Sequence, residues 1–196
     1  MSLLSLISAV VICGLVIGVV YQRLCRLSEL SPSDVLPFLQ KIDLEVLYGT
    51  FHPEADDMLR QKLPPAEFKL IQWKRFHLAI HYCKLLTANS RVLQGWTLYG
   101  RRQTWQSFTP GLQNIVRDLR NNCMQCRAAA WVIRLRLQWW LMRMRLFPWA
   151  PAPTFTNLLS SGSAEMIAFY DKVRESAELF SLAYGEDYHQ KLMQVL

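Results

Sequence analysis

The sequence predicts an all-α protein: a single N-terminal transmembrane helix followed by a cytoplasmic helical bundle with two long helices. Three observations carry that expectation. Apolar residues recur at three- and four-residue steps through most of the chain. Only 8 Gly and 9 Pro occur in 196 residues, and the prolines fall mostly between the periodic runs, which disfavours a sandwich or barrel. The stretch from Leu3 to Tyr21 holds no charged side chain at all.

That first stretch, "LLSLISAVVICGLVIGVVY", would be about 28 Å long as a helix, close to the hydrocarbon thickness of a bilayer. Ser5 and Ser8 are tolerated there because a helical hydroxyl bonds back to a carbonyl one turn earlier. Tyr21 falls where an interfacial aromatic belongs, and Arg23 and Arg26 follow it. A cleaved signal peptide wants small residues before the cut, and "VVYQRL" offers none; bulky Ile12 argues against lipid attachment at Cys13. Residues 1–26 therefore read as an anchor with a basic flank, and residues 27–196 as a helical bundle domain. Arginines after the run and none before it place the bundle in the cytoplasm. The five cysteines, an odd number, agree with a reducing compartment rather than a disulfide framework. Gly14 and Gly18 form a G-x-x-x-G through which two spans could pack, and Cys25 is a candidate for acylation.

The segment "SPSDVLPFLQKIDLEVLYG" reads as one helix, capped by Ser and Asp and closed by Gly49, with Val35, Phe38, Leu39, Ile42 and Val46 on its buried face. "HPEADDMLRQKL" restarts with Pro53 and acidic residues in the first turn, where the helix dipole favours them; Asp56 and Asp57 read as solvated. From Pro64-Pro65 the first long helix carries an apolar stripe of Phe68, Ile71, Phe76, Ala79, Ile80, Cys83 and Leu86, with Gly95 and Gly100 weakening its end. Thr109-Pro110 reads as cap and first position of the second long helix, which Pro148 stops. The Pro-rich stretch near 148–163 is a loop by composition. A last helix from about Ala164 to Tyr184 carries Ile167, Tyr170, Val173, Ala177 and Phe180, and Gly185 separates it from a short tail helix.

The most informative stretch lies in the second long helix, "VIRLRLQWWLMRMRL". At 100° per residue Arg134 and Arg145 fall about 20° apart, and Arg136 and Arg143 do the same on the opposite side. Between these charged edges lie two apolar faces, one of Trp131, Leu135, Trp139, Met142 and Leu146, the other of Ile133, Leu137, Trp140 and Met144. A membrane-surface helix has one polar and one apolar face. Two of each predict a helix sandwiched between neighbours, with arginine stems covering its edges. Surface membrane contact is the alternative, since tryptophan and arginine also suit interfaces, and the alternation in "IRLRL" would fit a strand.

The net charge of +7 is segregated. Residues 27–65 carry −4 and residues 148–196 carry −3, while residues 66–102 and 113–147, the two long helices, each carry +6. Packing basic helices against acidic ones neutralises much of the excess, and an anionic membrane face accounts for the remainder at about 1 kcal/mol per basic residue. That reading is more economical than nucleic-acid binding.

One constellation has chemical potential. His77 and His81 share a face of the first long helix, Cys123 and Cys126 share a face of the second, and together they offer a tetrahedral zinc donor set. In an antiparallel hairpin, however, the two pairs miss each other by about 12 residues, roughly 18 Å. The plainer reading has the histidines partly exposed and the cysteines filling core gaps. No P-loop, G-x-S-x-G, H-E-x-x-H or dinucleotide turn occurs, so no residue is expected to be catalytic and no cofactor other than zinc is suggested. The expected role is a membrane-anchored interaction or scaffold module, held in lipid by residues 3–21, whose partner is another protein or a second copy. Peripheral binding of anionic lipid through Arg134, Arg136, Arg143 and Arg145 is the first alternative and a zinc-stabilised module the second.

Overall fold

The computed structural model of the chain describes residues 30–52, 54–103, 108–156 and 163–196. Over these residues it is all-helical, with α1 at Pro32–Phe38, α2 at Leu44–Phe51, α3 at Glu54–Lys62, α4 at Pro65–Gln103, α5 at Pro110–Leu146, α6 at Ser163–Ser181 and α7 at Glu186–Val195. The expected anchor over residues 1–26, with Gly14, Gly18, Tyr21, Arg23 and Arg26, lies outside the described residues. Among those described, no helix is long and apolar enough to cross a membrane.

The two long helices, α4 and α5, form an antiparallel hairpin. Lys69 Nζ donates to the Pro148 carbonyl at 2.5 Å near one end, Phe76 meets Trp140 at 5.4 Å between ring centroids, and Arg127 Nη1 donates to Gln94 Oε1 further along. α6 packs along α5, α7 turns back onto α6, and α1 and α2 lie on α4. The Thr109 hydroxyl accepts the Leu112 N–H and Pro110 supplies a helix-ready φ, so α5 starts where cap chemistry directs it. Gly185, at φ 100°, makes the reversal into α7 that a side chain would strain.

Several details depart from the sequence expectation. The single helix expected over residues 31–49 is two. Pro37, inside α1, cannot donate back to the Ser33 carbonyl and so weakens a short helix, Leu39 is extended, and the Asp43 carboxylate accepts the Val46 N–H at 3.1 Å to start α2 afresh. The break exposes backbone groups that must be satisfied. Buried Asn89 on α4 does this, accepting the Gln40 N–H at 2.9 Å and donating to the Gln40 carbonyl at 2.7 Å. Val35, Leu39 and Ile42 are buried as expected, whereas Phe38 and Val46 face solvent. α4 also runs straight through Gly95 and Gly100. Gly100 is where Phe180 approaches: a Cβ there would lie 3.1 Å from the Phe180 ring.

The apolar core is continuous, with an aromatic cluster toward each end of the hairpin. Phe76, Trp140, Phe155 and Phe51 form one, and Trp96, Phe180, Tyr184 and Tyr188 form the other. Beside the first lies a charged hub that corrects the solvated reading of Asp56. Asp56 is fully buried and accepts from Gln72 Nε2 at 2.6 Å, from Arg75 Nη1 and from the Phe155 N–H. Arg75 also donates to the Thr50 and His52 carbonyls and lies over the Phe155 ring at 4.7 Å. One carboxylate thereby ties α2, α3, α4 and the segment after α5 together.

Candidate functional site

α5 explains the paired arginine edges differently from the sandwich expectation. It is helical throughout, so the alternation in "IRLRL" makes no strand. Both of its large neighbours, α4 and α6, pack on the same half, where Ile133, Leu137, Trp140 and Met144 are buried. The second apolar face is left to solvent: Trp139 is 59% exposed and Leu146 60%, with Trp131, Leu135 and Met142 each more than two-fifths exposed. These five side chains fall within about 80° of one another and run about 22 Å along the helix. Met124 extends the stripe backwards, and Phe147 and Trp149, the latter 79% exposed, extend it forwards. Scattered apolar residues are ordinary on a surface, whereas a contiguous stripe is not.

The arginines rim the stripe on both sides. Arg145 lies over the Trp73 ring at 4.9 Å and Arg136 over Trp140 at 5.6 Å, so ring faces hold these cations in place. Arg143 is exposed, and half-buried Arg134 lines a cavity toward α4. Beyond the stripe's end, Leu63, Phe68, Pro148 and Trp149 shape a groove of about 650 Å³, with Arg60 over Phe68 at 5.5 Å.

The structure does not bring the four candidate zinc ligands together. His77 and His81 face solvent on α4; His77 Nδ1 donates to the Trp73 carbonyl at 2.9 Å and its ring packs on Trp73. Cys123 and Cys126 are buried in the core on α5. Among the described residues no group of three or more His, Cys, Asp or Glu is placed to hold a metal ion. Burial pushes the Cys83 thiol up to about 12 and Cys126 to about 11, and holds Cys123 well above the usual thiol range. Such thiols are neutral packing groups, neither nucleophiles nor ready ligands at neutral pH. Ser181 and His189 meet at 2.8 Å, a contact no sequence motif announces. The Ser181 hydroxyl is buried and donates to the Glu178 carbonyl, so the pair pins α7 to α6 rather than forming a reactive dyad. No family model matches the chain, and neither a curated protein nor a solved structure is detectably similar to it.

Proposed function

We propose that the protein is a single-pass, membrane-anchored helical module with a cytoplasmic bundle whose outer α5 face docks onto an anionic membrane surface. The exposed Trp131–Leu146 stripe carries the reading. It combines apolar side chains that gain from leaving water, tryptophans that suit the headgroup level, and arginines on both edges that reach lipid phosphates. Burial of the opposite face turns α5 into a helix with one free apolar stripe, the arrangement required of a helix lying in an interface. The uncharged run from Leu3 to Tyr21 supplies the anchor, and the +6 charge on each long-helix segment supplies attraction to anionic lipid. The reading assigns the module no catalytic step.

A second reading, docking of another protein, is favoured by the concave groove at Phe68 and Trp149, because tryptophan, methionine and arginine dominate partner surfaces and a concavity accepts an anchoring side chain. The two separate in one measurement. Full-length protein is reconstituted into vesicles rich in an anionic phospholipid carrying bromine on its acyl chains. Quenching of tryptophan fluorescence that falls sharply in a Trp131→Phe, Trp139→Phe variant supports membrane docking. Equal quenching in that variant and the parent refutes it.

A further inference from the structure

The groove of about 650 Å³ beyond the α5 stripe is walled by the end of α3, the first turn of α4 and the segment that follows α5. Its size falls within the range of small-ligand sites. Leu63, Phe68 and Trp149 give it apolar bulk, and Pro65, Pro148 and Pro151 stiffen its walls. Both of its cations are already engaged. Arg60 lies over the Phe68 ring at 5.5 Å, and Lys69 Nζ donates to the Pro148 carbonyl at 2.5 Å. Backbone groups there are committed as well. The Phe68 N–H donates to the Pro64 carbonyl and the Ala150 N–H to the Phe147 carbonyl, each at 3.0 Å, and the three prolines carry no N–H.

This accounting selects the occupant. An extended peptide needs partners for its own N–H and C=O groups when it leaves water. A hydrocarbon chain needs none and gains from every methylene it buries. Position points the same way. Trp149, 79% exposed, belongs to the groove wall and also continues the α5 stripe, so a bundle lying on that stripe brings the groove to the boundary where acyl chains begin.

We infer that this groove takes one acyl chain of a bilayer lipid, drawn out of the leaflet and laid against Leu63, Phe68 and Trp149. The inference rests on docking of the stripe to the membrane, and its test is read at different residues. Full-length protein is reconstituted into vesicles of an anionic phospholipid, a small fraction of which carries a photoreactive diazirine at the end of one acyl chain. Adducts are mapped by mass spectrometry. A chain that stays in the leaflet keeps its end near the bilayer centre and marks the uncharged run from Leu3 to Tyr21. A chain that has entered the groove marks residues 63–69 and 148–152, which is the expected result. Ala66→Asp sets a carboxylate among the hydrocarbon contacts, at an exposed first-turn position of α4 where the helix dipole accepts it, and lowers groove labelling about tenfold or more. Ala66→Phe fills the same space without charge and lowers it comparably. Leu179→Asp, the same kind of change on the exposed side of α6, alters it by less than about twofold.

Adducts absent from the groove, or equal in Ala66→Asp and the parent, would overturn the proposal and leave the concavity to a protein partner. Groove adducts that depend on Ala66, together with undiminished bromine quenching in the Trp131→Phe, Trp139→Phe variant, uphold the groove and refute docking of the stripe alone. Diminished quenching in that variant without groove adducts refutes the acyl-chain site alone.

Discussion

Asp56→Ala is expected to destabilise the bundle more than any single surface change. It removes the acceptor of three hydrogen bonds at once and strands the Arg75 guanidinium, whose side chain is only 13% exposed. Breaking a buried pair from one side costs about 3–5 kcal/mol. Arg75 keeps the Thr50 and His52 carbonyls at 3.1 and 3.3 Å, so the lower end applies, about 3 kcal/mol. For a chain of this length that corresponds to a fall in melting temperature on the order of 10 °C. Urea unfolding of the full-length protein in neutral detergent, followed by near-ultraviolet circular dichroism, measures it. Asp57→Ala, at an exposed neighbouring position, stays within about 0.5 kcal/mol. Asp56→Ala combined with Arg75→Met costs less than the two changes summed, by roughly 1–3 kcal/mol. If Asp56→Ala matched Asp57→Ala, the hub would not be holding the segments together.

Four further outcomes are expected. Buried thiols that ionise near 11 to 12, against an ordinary 9.0, let the folded state keep protons that the unfolded chain releases. Stability is therefore full below pH 9 and declines as pH climbs through 11 to 12, a slope in melting temperature that Cys83→Ala with Cys126→Ala makes shallower, buried Cys123 and Tyr170 supplying the rest. Gly100→Ala destabilises by about 1 kcal/mol despite alanine's better helix propensity, because the Phe180 ring is wedged against Trp96 and Tyr184 and cannot yield. Gly49→Ala, where nothing lies within 4 Å, stabilises by up to about 1 kcal/mol in the same thermal melt. Asn89→Leu leaves both Gln40 backbone groups unsatisfied and costs about 2–3 kcal/mol by urea titration.

Periodicity and caps made the two long helices legible: Thr109-Pro110 starts α5 and Pro148 follows its end, as their chemistry dictates. The split between α1 and α2 was illegible because its cause is remote. Nothing near Gln40 indicates that Asn89, 49 residues away, will satisfy its backbone. Asp56 was misread for the same reason, since its position at a helix start suits solvent as well as burial and only Arg75 and the Phe155 amide decide between them. The α5 stripe was visible as a pattern, and its exposure was not. A helix with two apolar faces fits two packed neighbours or one packed and one bare side equally well. Which of these holds depends on where α4 and α6 come to lie, a property of the assembled bundle.

The entry point of the chain has a mechanical consequence. Leu30 donates its N–H to the Gly95 carbonyl at 3.4 Å, and ten residues later Gln40 is gripped by Asn89, six positions nearer the start of α4. Tension arriving through residues 1–29 would meet these fastenings one after the other, beginning with the longer and weaker. The outer arm would peel away in small steps while the hairpin, locked elsewhere by Asp56, kept its shape under load.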